Sequence, residues 1–115
     1  MARVESINAV TLHTVDMAAS VTFYAALGFT ISFGGEEAPF TTMSSGGCHV
    51  NLTAEGATCA WGRVIFHVDD VDELYESATA AGLQPDAPPA DASWGERYFP
   101  IRDPSGNDLS FATRL

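Results

Sequence analysis

Two stretches of this chain alternate apolar and polar residues in the same way. Residues 10–17 and residues 64–71 both place an apolar or small side chain at every second position over the first half of the stretch. This period of two is typical of a strand that buries one face. Asp16 and Asp70 follow the alternating residues, and aspartate is a favoured N-cap of a helix. The pattern therefore predicts a half-buried strand followed by a helix, twice.

The two stretches belong to an internal repeat with a constant offset of 54 positions. The repeated pairs are Val10 and Val64, His13 and His67, Asp16 and Asp70, and Gly28 and Gly82. A register kept without a gap from strand to helix end indicates a duplicated supersecondary unit.

The helices and the strands after them follow from spacing and turn residues. Apolar or small residues with the spacing of one helical face are Met17, Val21, Tyr24 and Leu27 in the first copy, and Val71, Leu74, Ala78 and Ala81 in the second. The glycine at each helix end favours a left-handed stop. Further strands are predicted at 29–33, 40–43, 48–53, 97–102 and 108–113, with a hairpin turn at 103–107 and an irregular loop at 84–92.

These elements predict an α+β fold of two βαβββ modules within one domain, residues 1–115. Module one covers about residues 1–55, module two about residues 62–115, and a short connection joins them. The 46% apolar content suits a chain that buries its own core.

The net charge, the targeting signals and the cysteines limit the partners and the location that we expect for this protein. Fifteen acidic residues against five basic ones give a net charge of −10, which disfavours nucleic acid and anionic membranes. The charge either favours a cationic ligand or serves only to keep a small protein soluble. No stretch resembles a signal peptide or a membrane span, so a cytoplasmic location is expected. Cys48 and Cys59 form no CxxC pair and are expected to be reduced.

Several motifs resemble the vicinal oxygen chelate superfamily, which contains glyoxalase I, extradiol dioxygenases, fosfomycin-resistance enzymes and bleomycin-resistance proteins. The motifs are Val15-Asp16, Phe23-Tyr24, Leu27-Gly28-Phe29 and the stretch 93–107, and the last is most similar to bleomycin-resistance proteins. The resemblance implies two curved sheet modules that form a mixed, cup-shaped sheet, often across a homodimer, with helices outside and the ligand inside.

The resemblance also implies where a divalent metal would be bound. The four corresponding positions hold Ala9, Asn51, Arg63 and Ser110. None is a histidine or a carboxylate, the usual protein ligands of a catalytic metal. We therefore expect no metal and no cofactor, which argues against an enzyme.

Three histidines leave a different metal site open. His13, His49 and His67 fall on the polar faces of predicted strands. His13 lies four residues beyond the implied ligand position, roughly 13 Å along a strand, so it cannot take that place in the same geometry. The alternatives are a displaced metal site, or histidines that line a pocket or form structural hydrogen bonds.

The leading functional prediction is a metal-free binding protein that encloses a small molecule, with a cationic aromatic antibiotic as one candidate. Predicted ligand-binding residues are His13, His49, Asn51, Trp61, His67, Trp94, Arg97, Tyr98 and Ser110. Packing is an alternative role for both tryptophans and an ion pair for Arg97. Two other functions remain open: a lyase or dioxygenase with an atypical metal site, and a dimeric interaction module with a vestigial cup.

Overall fold

A computed structural model describes residues 2–57 and 63–115 of the chain. The first module contains β1 (Ala9–His13), α1 (Met17–Ala26), β2 (Thr30–Phe33), β3 (Phe40–Ser45) and β4 (Cys48–Thr53). The second contains β5 (Arg63–His67), α2 (Val71–Ala80), β6 (Ala90–Asp91), β7 (Glu96–Arg102) and β8 (Asp108–Arg114). The predicted α+β class with two βαβββ modules is confirmed.

The eight strands form two separate four-stranded mixed sheets. Sheet one has the order β1-β4-β3-β2 and sheet two the order β5-β8-β7-β6. In each, the first strand of the module pairs in parallel with the last, and the other pairs are antiparallel. The duplication seen in the sequence is thus a duplication of topology.

Both helices begin directly after the predicted aspartate caps, and the predicted glycines follow their C-terminal ends. Asp16 Oδ1 accepts a 3.0 Å hydrogen bond from the Ala19 amide, and Asp70 Oδ1 accepts an equivalent 3.0 Å bond from Glu73. Each cap satisfies an amide that has no partner within the helix. After each helix a glycine has the left-handed conformation, with φ of +98° at Gly28 and +89° at Gly82.

Each sheet has one covered face and one open face. Helix α1 packs on β2, β3 and β4, and α2 packs on β7 and β8. Side chains alternate along each strand, so one set joins the core and the other lies on the opposite face, which we call the open face. Buried core residues from the strands include Leu12, Met43, Val50, Leu52, Phe99, Ile101, Leu109 and Phe111.

The modules meet through aromatic rings and through the hairpin turn 103–107. The Phe29 and Phe66 rings lie 5.6 Å apart, centroid to centroid. Asn107 Nδ2 donates a 2.9 Å hydrogen bond to the His13 carbonyl, and the Val15 amide donates a 2.9 Å bond to Ser105 Oγ. The turn therefore holds the second module against the junction between β1 and α1.

Some predicted boundaries were wrong. The loop predicted at 84–92 contains the short strand β6, because Ala90 and Asp91 pair with Tyr98 and Arg97 of β7. Ala81 lies beyond the end of α2 and is exposed, so the buried stripe of that helix ends at Ala78. Among the helices of the described residues, none has the length and apolar character needed to span a membrane.

Candidate functional site

The open face of sheet one carries a row of hydrogen-bonded neutral side chains. Thr42 Oγ1 on β3 donates to Asn51 Oδ1 on β4 at 2.7 Å, and Asn51 Nδ2 donates to Thr11 Oγ1 on β1 at 3.3 Å. The register places Thr42, Asn51 and Thr11 opposite one another, which is why three strands supply one row. Both groups of the Asn51 amide have a partner, so its orientation is set before any ligand arrives.

A second row runs beside the first. His49 Nδ1 lies 2.6 Å from Ser44 Oγ, and Ser44 Oγ lies 2.7 Å from Ser32 Oγ on β2. No strand of sheet one contains an aspartate, glutamate, lysine or arginine. The face therefore offers directional hydrogen bonds and produces little net electrostatic field.

A carboxylate with two side-chain donors lies on the open face of sheet two. Glu96 Oε2 accepts a short hydrogen bond from His67 Nε2, and Glu96 Oε1 accepts a 3.0 Å bond from the Trp94 indole N–H. The hydrogen bond from His67 lowers the pKa of Glu96, and the bond from Trp94 lowers it further. The His67 side chain is 46% exposed, so this oriented imidazole remains accessible from solvent.

Aromatic rings continue this cluster along β7. The Trp94 and Tyr98 ring centroids are 5.7 Å apart with 34° between their planes, and Trp94 is 59% exposed. The Arg63 guanidinium carbon lies 5.9 Å from the Tyr98 centroid, within the range of a cation–π contact. His67, Trp94 and Tyr98, three of the predicted ligand-binding residues, thus lie together around Glu96.

Arg97 lies apart from this group, on the helix side of the sheet. Its Nε donates to both carboxylate oxygens of Asp72 on α2, at 3.2 and 3.0 Å, and its Nη1 lies 3.1 Å from Asp91 Oδ1. The hydrogen bonds from Arg97 to Asp72 raise the pKa of the guanidinium, followed by those to Asp91. Arg97 follows Glu96 by one residue, and this parity sends its side chain to the opposite face. The ion pair that the sequence left open is the arrangement found.

The three histidines have three different partners. His13 Nδ1 donates a 3.1 Å hydrogen bond to the Glu55 carbonyl, while His49 contacts Ser44 and His67 contacts Glu96. Among residues 2–57 and 63–115, no three histidine, cysteine or acidic side chains come together as a metal site.

The implied metal positions do not fit a divalent ion. Ala9 has no donor atom, and Asn51 Oδ1 already accepts from Thr42. Arg63 brings a positive charge to the face, and Ser110 supplies one neutral hydroxyl. A divalent ion prefers imidazole or carboxylate ligands, which this set lacks.

A cavity of about 280 Å³ lies between the first strands of the two modules. Its lining includes Ile7, Ala9, Cys48, His49 and Ile65. Burial raises the pKa of the Cys48 thiol, which disfavours the reactive thiolate. His49 is the predicted ligand-binding residue on this lining, and Trp61 lies outside the described residues.

The sequence prediction missed Glu96, Ser44 and Thr42. Glu96 precedes Tyr98 by two residues and therefore shares its face, a signal available from alternation alone. Ser44 and Thr42 had no comparable signal, because their roles depend on the register between β3 and β4.

Two βαβββ modules, each with an open, hydrogen-bonding sheet face, define a duplicated α+β architecture. The chain belongs to the Glyoxalase/Bleomycin resistance protein/Dioxygenase superfamily, whose family model matches residues 6–111. None of the curated proteins searched matches the chain significantly.

Solved structures show the same fold. TioX from Micromonospora sp. ML1 is 29% identical with a TM-score of 0.76, covering 96% of this chain and 100% of that one. A bleomycin-binding protein complexed with bleomycin is 23% identical with a TM-score of 0.79, covering 97% and 100%. A lactoylglutathione lyase from Agrobacterium tumefaciens is 20% identical with a TM-score of 0.78, covering 94% and 92%. The similar folds include both a binding protein and a lyase, so the function must be argued from the site.

Proposed function

We propose that this protein binds a small planar aromatic molecule on its open sheet faces and does so without a metal. The observation that carries the proposal is the cluster of Trp94, Tyr98, His67 and Glu96 on sheet two. An indole that is 59% exposed beside a second ring offers a stacking surface that the fold itself does not use.

The polar groups around the rings would orient a bound ligand. Glu96 and His67 are hydrogen-bonded to each other, and the neutral rows of sheet one present Asn51 and His49 in set orientations. A few placed polar groups beside an apolar surface are typical of small-molecule sites. The similar fold of a protein solved with bleomycin supports binding as the role of this architecture.

We propose a homodimer as the binding unit. Apolar side chains remain exposed at sheet positions, with Ile65 48% and Phe33 65% exposed. A second copy placed over an open face would cover these side chains and enclose a ligand on both sides. Sedimentation equilibrium measures the mass directly, and a monomer at all concentrations would contradict this assembly.

A binding screen tests the proposed function. Planar aromatic compounds, bleomycin among them, are titrated against the protein while its melting temperature and the Trp94 fluorescence are followed in a Trp61→Phe background. A ligand at a hundredfold excess over its Kd adds ~2.7 kcal/mol to the free energy of unfolding. Binding that is lost in Trp94→Ala and retained in Val15→Ala, a change of an exposed apolar residue outside both sheets, supports the proposal. A screen without any binder, or unchanged binding by Trp94→Ala, contradicts it.

A further inference from the structure

The side chain of Arg63 reaches diagonally across sheet two. Arg63 lies on β5 and Tyr98 on β7, and β8 runs between these strands. In register, Arg63 stands opposite Asp108, while Tyr98 stands opposite Ala112, four residues further along β8. The 5.9 Å contact between the guanidinium and the Tyr98 ring therefore requires both side chains to lean over the middle of β8.

Ser110 lies at the midpoint of that diagonal. It is two residues from Asp108 and two from Ala112, and it is paired with Ile65 on one side and Pro100 on the other. Ser110 is on the open face, yet it is only 1% exposed. The diagonal between Arg63 and Tyr98 passes over this position.

The Ser110 hydroxyl has no hydrogen-bond partner among the described residues. Leaving a buried polar group without a partner is energetically unfavourable, and the great majority of buried polar groups have one. An unpaired hydroxyl near the exposed Arg63 side chain is explained if a ligand atom completes the hydrogen bond.

Charge on the open face of sheet two differs from that of the whole chain. The net charge is −10, but three of the five basic residues, Arg63, Arg102 and Arg114, lie on this face. Arg102 contacts Asp86 at 3.7 Å and Asp108 at 3.2 Å. Within the described parts of the chain, Arg63 forms no salt bridge, so its charge is available for a ligand.

We propose that Arg63 and Ser110 together bind an anionic oxygen of the ligand, so that the preferred ligand is an aromatic carboxylate. This inference rests on the proposed function and specifies its ligand class. The guanidinium leaves the Tyr98 ring and pairs with the carboxylate, while the aromatic part of the ligand takes its place against Tyr98 and Trp94. The same movement uncovers Ser110, whose hydroxyl donates to the carboxylate. The net charge favoured a cationic ligand, but contacts within the site outweigh a diffuse field that salt screens.

Three naphthalene probes separate ligand charge from aromatic stacking: 2-naphthoate, 2-naphthamide and 2-naphthylmethylammonium. Isothermal titration with the wild-type protein should give the tightest binding for 2-naphthoate. Arg63→Gln should weaken 2-naphthoate by about tenfold or more, as expected for loss of a charge-assisted hydrogen bond, and leave 2-naphthamide within about twofold. Arg102→Gln removes the same charge from the same face and should leave 2-naphthoate nearly unchanged.

Ser110→Ala provides a second, independent readout. It should weaken 2-naphthoate severalfold without lowering the melting temperature of the free protein, since the hydroxyl has no partner to lose. Equal weakening by Arg63→Gln and Arg102→Gln, or tightest binding of the ammonium probe, would overturn the carboxylate site while leaving aromatic binding intact. Failure of all three probes and of the wider screen would instead contradict the proposed function itself.

Discussion

The Tyr24 hydroxyl donates a 2.8 Å hydrogen bond to Asp103 Oδ2 and thereby links helix α1 of the first module to the hairpin turn of the second. Tyr24 is fully buried and Asp103 is 4% exposed. Asp103 also accepts from the Ser105 and Asn107 amides, so one carboxylate orders the turn and joins the modules. This contact is one of several that join the two modules.

Replacing Tyr24 with phenylalanine should destabilise the protein by about 1–3 kcal/mol, because a buried carboxylate oxygen loses a donor. Urea unfolding measures the change. Tyr75→Phe is the matched control, since Tyr75 is half-buried, packs its ring 5.4 Å from Phe99 and has no hydrogen bond from its hydroxyl to a described residue. Equal stability of the two variants would show that the Tyr24 hydroxyl contributes nothing to the fold.

Stability should fall steeply above about pH 10, the ordinary pKa of tyrosine. Burial raises the pKa of Tyr24 far above that value, and the neighbouring Asp103 charge adds to the rise. Below pH 10 Tyr24 is protonated in both the folded and the unfolded state, so its hydrogen bond stabilises the protein fully. Above pH 10 only the unfolded state releases the proton, and the free energy of unfolding falls by about 1.4 kcal/mol per pH unit.

Unfolding of the wild type and of Tyr24→Phe between pH 9 and 11 tests this dependence. The difference between the two proteins should shrink as the pH rises. Cys48, whose pKa is also raised by burial, is present in both and cancels in the difference. A difference that stays constant with pH would contradict the assignment.

Glu96→Gln should remove a stabilising contribution that the wild type has at neutral pH and loses in acid. The hydrogen bond from His67 lowers the pKa of Glu96 in the folded state, so its stabilisation is present above the ordinary glutamate pKa of about 4.3 and is lost as the pH falls through the lowered value. Melting temperatures from pH 6 to 3 should show the wild type approaching the variant at the acid end. Glu36→Gln, which removes a carboxylate at an exposed loop position, is the matched control, and the same convergence in both variants would contradict the role of the His67 contact.

Chelation should change neither the melting temperature nor the binding of aromatic probes, because Ala9, Asn51, Arg63 and Ser110 supply no strong metal ligand. Protein purified without chelators is analysed for divalent ions and then dialysed against EDTA. A stoichiometric ion that disappears in His13→Ala or His67→Ala would reverse this conclusion and favour a lyase or dioxygenase with an atypical site.

Local patterns were sufficient to predict the elements of the fold. Asp16 and Asp70 act as caps through bonds to amides three residues away, and Gly28 and Gly82 adopt conformations that need no distant partner. Such features depend on neighbours in the chain, so a single sequence contains them.

The face on which a residue lies also follows from the sequence, once the strand is known. Alternation along β7 puts Glu96 with Tyr98 and puts Arg97 on the other side, where it forms ion pairs with Asp72 and Asp91.

The sequence by itself determined two modules, their helices and their strand faces, while the resemblance to a known family added four positions that hold no usual metal ligand. Only the tertiary structure decided which side chains meet: His67 with Glu96, 29 residues apart, and Arg63 with Tyr98 above Ser110. The physical reason is register. A shift of two residues between β5 and β8 would keep every residue on its face, but it would move Arg63 off Ser110 and separate His67 from Glu96.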